Sequence, residues 1–338
     1  MQLWTDAVEP QELTTFARKT QAELEAAKGS LAAHFPSEVV DDISVRYVRG
    51  ANGLVNAAEY RAFDAETPIG SQDAGERITM DLAPVGQKIR IGELDQLRAR
   101  SLDPSDERVQ ISVAKATSDA VMATDLRVEA LRGSVLETGR LTIKENGFYV
   151  DVDLGRDESL TTQTSTSWAD EGATPLTDLE AWMEVYAERN DEAPAVMVVS
   201  RKALNMLRRN KQVLSAVSGV ASPTIVGTDV LNSVLAANDL PAVQVYDRRV
   251  RVGGVKKRVL NEDSVFFLPA PGQLGKTTWG RTAEADDPDY GIAAAEGAGI
   301  VAAAHKEHDP YSHWARATAI ALPVMTDPNA SMVAKVVV

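Results

Sequence analysis

The chain has 338 residues, 44% apolar, 25% charged and 5% aromatic, long enough to bury a sizeable core and to form about two domains. It has no cysteine, which removes disulfides, thiol nucleophiles and thiolate metal sites, and its 35 Lys and Arg against 49 Asp and Glu give a net charge of −14, which argues against a broad nucleic-acid grip. No window nears the ~18 apolar residues of a membrane span, and Met1-Gln2-Leu3-Trp4-Thr5-Asp6 lacks the basic and apolar regions of a secretory signal, so neither is expected.

Pro10 after Glu9 opens the first predicted helix. Leu13, Phe16, Ala17, Thr20 and Leu24 recur at helical spacing, with Glu12, Arg18, Glu23 and Glu25 expected to face water. Few of these residues are large, so the helix should lie on something else, such as a neighbouring subunit. The run through Tyr60 and Ala62 to Phe63 predicts a strand, and Arg77–Leu82 alternates as a second. Between them, Asp64–Gly75 is rich in turn formers and acidic residues. The expected product is a long hairpin from Asn56 to Lys88, either an ordinary surface hairpin or one that a partner must bury.

A long helix comes next. Asp103 is its expected cap, Pro104 suits the first turn, and Asp106 and Glu107 suit its positive end. Val113, Thr117, Val121, Thr124, Val128, Leu131 and Val135 form one stripe, and Gly139 is a natural C-cap. From Ser105 to Thr138 the helix would measure ~50 Å. A single narrow stripe of this length calls for a sheet, expected from the strand Trp314–Val324 and the hairpin Leu141–Val152. That hairpin turns at Asn146-Gly147. Thr161–Ser167 reads as a linker.

From Thr174 helices alternate with strands. Helices are expected at Leu176–Arg189, Arg201–Val217 and Thr228–Ala237. Strands are expected at Ala195–Val199, Ala242–Tyr246, Arg249–Val252, Val255–Val259 and Ser264–Leu268, with Gly253-Gly254 as a hairpin turn. This is an α/β block. The strand Trp314–Val324 should end at Pro323.

Four features invite a chemical reading. Ala270-Pro271-Gly272-Gln273-Leu274-Gly275-Lys276-Thr277 loosely fits a phosphate loop, but no apolar-striped helix follows to supply the anion-binding N-terminus. A strand-turn-strand connection is the better reading. His305, His308 and His313 lie near Glu307 and Asp309, yet Pro310 would break a ligand-bearing helix, so solvated loop histidines are expected and no metal. Asp41-Asp42 and Asp286-Asp287 carry no pocket signature, and no serine sits in a nucleophile elbow. Two basic clusters stand out: Arg201, Lys202, Arg208, Arg209 and Lys211, and Arg248, Arg249, Arg251, Lys256, Lys257 and Arg258. They are either solvated faces or ion-pairing surfaces for an acidic patch of a partner subunit.

The order of parts resembles the tailed-phage major capsid proteins of the HK97-like fold, and specific strings resemble the lambda-type major capsid protein E family. Leu3-Trp4-Thr5-Asp6 and Glu12-Leu13-Thr14 are similar to its N-arm. Ala58 to Gly70, through Tyr60, Phe63, Pro68 and Ile69, resembles the outgoing limb of its extended loop, and Leu82-Ala83-Pro84-Val85-Gly86-Gln87-Lys88 the return. Leu240 to Asp247, Trp279-Gly280-Arg281-Thr282, Leu322-Pro323-Val324 and Asp327-Pro328-Asn329-Ala330 are similar to later landmarks.

The resemblance implies an α+β capsid chain with five parts: an N-arm (1–50), an extended β-hairpin loop (51–92), a peripheral domain (93–173) with its spine helix at 104–138, an axial α/β domain (174–312) and a C-terminal strand (313–338) returning to the peripheral domain. It implies a non-enzymatic homo-oligomer, hexamers and pentamers tiling an icosahedral shell around double-stranded DNA. The DNA would be contacted non-specifically, and no cofactor, metal or membrane is involved. Expected intersubunit contacts are Trp4, Leu13, Tyr60, Phe63, Pro68, Ile69, Met80, Leu82 and Lys88. Portal, scaffold or decoration proteins are further partners, with assembly in the host cytoplasm and residence in the virion. Any scaffold would be a separate protein, because no long charged prodomain precedes the arm. An encapsulin-type compartment is the alternative within the fold, and an α/β nucleotide-binding enzyme the alternative outside it.

Overall fold

The computed structural model describes residues 2–27, 29–49, 76–92, 107–217, 224–293, 296–309 and 311–338. The N-terminal part holds β1 (Gln2–Leu3), α1 (Pro10–Ala26), β2 (Ser37–Val39), β3 (Ser44–Arg49), β4 (Glu76–Asp81) and β5 (Ala83–Ile91). Then come α2 (Glu107–Thr138), β6 (Arg140–Glu145), β7 (Phe148–Asp153) and β8 (Thr161–Gln163). The α/β block follows as α3 (Pro175–Asn190), β9 (Val196–Val199), α4 (Arg201–Arg209), α5 (Lys211–Val217), α6 (Thr228–Ala237), β10 (Ala242–Val245), β11 (Arg249–Val252), β12 (Val255–Arg258) and β13 (Ser264–Leu268). The chain closes with β14 (Gly275–Trp279), β15 (Val301–His308), β16 (Tyr311–Met325) and β17 (Met332–Lys335).

The first sheet runs β1-β15-β16-β14-β2, with β5 added along β16. Its helix-facing side is lined by Ala302, Ala304, Ala315, Ala317, Ala319 and Ala321. Such small side chains let α1 and α2 approach closely, so Leu13, Ala17, Val113, Val121 and Val128 reach the sheet. The α2 stripe is buried as its spacing requires, Leu131 alone remaining half-buried. Gly139 ends the helix with φ +67°, its N–H donating to Val135 O at 2.9 Å. The cap expected at Asp103 lies outside the described residues. Helix α1 rests on its own chain: the Thr14 hydroxyl donates to Ala302 O and accepts from Ala302 N, each at 3.1 Å.

Strand β16 continues through Pro323 to Met325 rather than stopping at the proline. Thr277 opposes Pro323, and the Thr277 N–H turns the other way, to Pro36 O. The Pro323 nitrogen therefore faces the side that β5 has already left at Ala321, where a missing donor costs nothing.

The second sheet runs β10-β9-β13-β17-β8. Met197, Val199, Val265, Phe267, Met332 and Ala334 face helices α3 to α6. The alternate residues Val198, Phe266 and Val333 face the other way, packing with Val135 and Leu136 of α2, Leu141 and Ile143 of β6, and Val250 of β11. Covered on both sides, Ser264–Leu268 is buried throughout.

Several expectations change. Arg77–Leu82 is largely a strand, but β4 pairs with β3; Tyr60–Phe63, the expected partner, lies outside the described residues. The linker contains β8, whose backbone pairs in parallel with β17. The helix Arg201–Val217 is two, because Asn210 adopts extended backbone and its side chain is drawn to Ala173 O. The hairpin β6–β7 packs at the C-terminal end of α2 but forms its own two-stranded sheet. Strands β14 and β15 join the first sheet and β17 joins the second. Each sheet is completed by strands distant in sequence, which local pattern does not register.

Candidate functional site

The most built site is a buried charge cluster on α2. Asp125, Glu129 and Arg132 occupy one helical flank beside the apolar stripe and are all buried. Glu129 Oε1 accepts from Leu31 N at 2.8 Å and from the Tyr246 hydroxyl at 2.7 Å. Arg132 donates from Nη2 to Glu25 at 2.8 Å, from Nη1 to Glu129 at 3.3 Å, and from Nε to the Thr277 hydroxyl at 2.9 Å. Arg248 reaches Asp125 at 3.1 Å and Glu129 at 3.4 Å.

Three carboxylates thus meet two guanidiniums. Burial pushes the Asp125 carboxyl above its usual range against the pull of Arg248 and Arg132, and Asp125 Oδ1 has no hydrogen-bond partner among the described residues. Burial and the adjoining Glu129 push the Tyr246 phenol upward, so it stays a neutral donor. The cluster ties four separate segments together: the end of α1 with the turn after it, α2, β14 and the connection into β11. Each lost partner would strand a buried charge.

Sequence reading missed this cluster. Glu25 was expected in water, but its carboxylate is mostly buried against Arg132. Arg248 belongs to a cluster expected either as a solvated face or as an ion-pairing surface for a partner subunit, and Arg18, expected in water, donates to Ile300 O and Glu296 O. The available signal was the spacing of Asp125, Glu129 and Arg132, which keeps three ionisable groups on one side of a half-buried helix.

The expected contact residues separate into three groups. Trp4, Leu13, Met80 and Leu82 are 7, 3, 5 and 4% exposed, packed into their own chain; Trp4 stacks on His313 with ring centroids 3.7 Å apart. Tyr60, Phe63, Pro68 and Ile69 lie outside the described residues. Lys88 is exposed on β5, its ammonium 4.7 Å from the centre of the Trp314 ring.

The phosphate-loop string is a strand-turn-strand connection, β13 to β14, and it crosses between the two sheets. Its amides are occupied: Gly272 N bonds Ala33 O, Gln273 N bonds Ala270 O and Thr277 N bonds Pro36 O. A side chain at Gly275 would meet Val324 O at 2.3 Å, and Lys276 pairs with Glu38.

The histidines need a correction. His305 and His313 are buried strand residues rather than loop residues, and burial lowers both imidazole pKa values. His305 opposes Trp314 and Lys306 opposes His313, so the two imidazoles lie on opposite faces of the sheet. No three His, Asp or Glu residues converge as a metal site among the described residues.

Among solved structures, the chain resembles a prophage capsid protein from Escherichia coli CFT073, with a TM-score of 0.67, 16% identity and coverage of 98% of this chain and 99% of that one. A phage-related protein from Bordetella bronchiseptica gives 0.59 at 15% identity, with 98% of both chains covered. The capsid of a native GTA particle gives 0.52 at 12% identity, over 92% of this chain and 91% of that one. At such identities the shared property is the fold, and it is the HK97-like fold of phage shell proteins.

The family model for phage major capsid protein E matches residues 34–336. The chain belongs to that family, a structural one rather than a family of enzymes. No curated protein matches the sequence.

Proposed function

We propose that this major capsid protein is the repeating unit of an icosahedral phage head, grouped as hexamers and pentamers around double-stranded DNA and assembled in the host cytoplasm. The observation that carries this reading is the ribbon β3–β4, a sheet of its own that pairs with no other strand among the described residues. The ribbon is anchored in its own chain through Tyr47 and Met80, and it brackets residues 50–75, the segment that resembles the family's extended loop. That loop, with Tyr60, Phe63, Pro68 and Ile69, is read as the limb that reaches an adjacent subunit, and Lys88 as an exposed contact near its return. Portal, scaffold or decoration proteins would join this homo-oligomer, and the net charge of −14 suits a wall that does not retain its DNA tightly.

Electron microscopy of the purified chain tests the reading. Wild type should form shells, tubes or capsomer rings, and deletion of Thr67–Gly75 should leave a folded chain that does not close shells. Normal shell yield from the deletion would remove the role given to the loop.

A further inference from the structure

We propose that the cationic hairpin β11–β12 of one copy docks on the acidic outer face of α3 in a second copy, forming a head-to-tail contact between α/β blocks; this rests on the shell reading above. Register places Arg249 opposite Arg258 and Arg251 opposite Lys256. Like charges directly opposed across two strands are destabilising, and among the described residues only one of the four is neutralised: Arg258, by Asp247 and Glu262. Arg249, Arg251 and Lys256 are exposed, as is the adjoining Lys257, and none has an ion-pair partner among the described residues. Four uncompensated cations thus sit on one short ribbon of a strongly acidic chain.

Helix α3 shows the opposite anomaly. Leu179, Trp182 and Tyr186 are buried toward the second sheet, while Glu180, Glu184 and Glu188 are exposed. These three recur at i, i+4 and i+8, the spacing at which like charges repel. Asp191 and Glu192 extend the acidic run, also exposed, and none of the five has a cationic partner among the described residues.

The two patches cannot meet within one molecule. Helix α3 covers the sheet face carrying Met197, Val199 and Phe267, whereas Val250 of the hairpin packs on the face carrying Val198 and Phe266. The second sheet therefore lies between a positive flank and a negative one. A contact joining unlike patches of identical chains is heterologous, and repeated about an axis it closes a ring. Each local repulsion is then relieved by the other patch. A polyanion fits less well: the hairpin contains no aromatic residue on which bases could stack, and nucleic acid would leave the acidic helix face unexplained.

Charge reversal tests this. One variant combines Arg251→Glu with Lys256→Glu, another combines Glu180→Lys with Glu184→Lys, and a third carries all four changes. Capsomer and shell yields are read by sedimentation and electron microscopy, with thermal melting as the folding control. A neutral pair, Arg251→Gln with Lys256→Gln, supports the control.

Each reversal should lower yield by about tenfold or more with melting unchanged, and the fourfold variant should recover most of it. Wild-type association should weaken as salt rises. Wild-type yield from either reversal, or failure of the fourfold variant to recover while still folded, would overturn the proposal. So would normal shells that merely lose bound nucleic acid. A wild type that forms no particles at any salt would defeat the shell reading itself, a result distinct from all of these.

Discussion

Gly133 lies inside α2, where helix propensity alone favours alanine by about 1 kcal/mol. Its surroundings reverse that sign. A Cβ at Gly133 would stand 2.4 Å from Val259 Cγ1, 2.5 Å from Val259 O and 3.0 Å from Val259 C. Carbon contacts relax near 3.5–4.0 Å, so the overlap is about 1 Å. Two of the three contacts are with backbone, which no rotamer change relieves, and the Val259 N–H is already held by Arg248 O at 3.1 Å. Overpacking of this kind costs about 1–3 kcal/mol. With the propensity gain set against the upper part of that range, Gly133→Ala should destabilise by about 1–2 kcal/mol. At about 2–4 °C per kcal/mol for a domain of this size, the melting temperature should fall by several degrees. Adding Val259→Ala removes the Cγ1 clash but keeps the carbonyl clash, so the double variant should recover only part of the space lost. Calorimetric melting of wild type, Gly133→Ala and the double variant measures this. A Gly133→Ala protein that melts at or above wild type would show that propensity dominates and that the approach of α2 to the α/β block is looser than described.

Two further outcomes follow from the buried groups. Arg132→Met leaves Glu129 and Glu25 without their shared cation and should cost about 3–5 kcal/mol; adding Glu129→Gln should restore part of it, a coupling that a double-mutant cycle reads directly and that additive losses would refute. Burial lowers the His34 pKa, and its Nδ1 has no hydrogen-bond partner among the described residues, so the fold favours neutral imidazole. Its stabilising contribution is complete above the unfolded value near 6.5 and is lost as pH falls through the depressed folded value. The melting temperature should therefore drop less between pH 7.5 and 5.5 in His34→Leu than in wild type, and equal drops would count against a role for His34.

What could be read from the sequence depended on how far away each residue's partner lies. Helices α2, α3 and α6 announce themselves through spacing and caps, and the hairpins β6–β7 and β11–β12 through Asn146-Gly147 and Gly253-Gly254, because every determinant is within a few residues. Strand β15 was missed because Val301-Ala302-Ala303-Ala304 is neither alternating nor rich in branched residues; its alanines are explained only by the helices that pack on them. Glu25 read as a solvent-facing helix residue because its cation, Arg132, is 107 positions away. Strand β8 read as a linker because its polar residues are held through backbone pairing with β17. Local rules fail where the balancing group is elsewhere. For Glu25, Asp125 and Glu129 that group is found within the same fold. For Arg251 facing Lys256, and for Glu180, Glu184 and Glu188 along one helix face, it is not found among the described residues. In a chain built to repeat around a shell, the group that balances each patch is expected on the next copy, which is what the charge-reversal variants test.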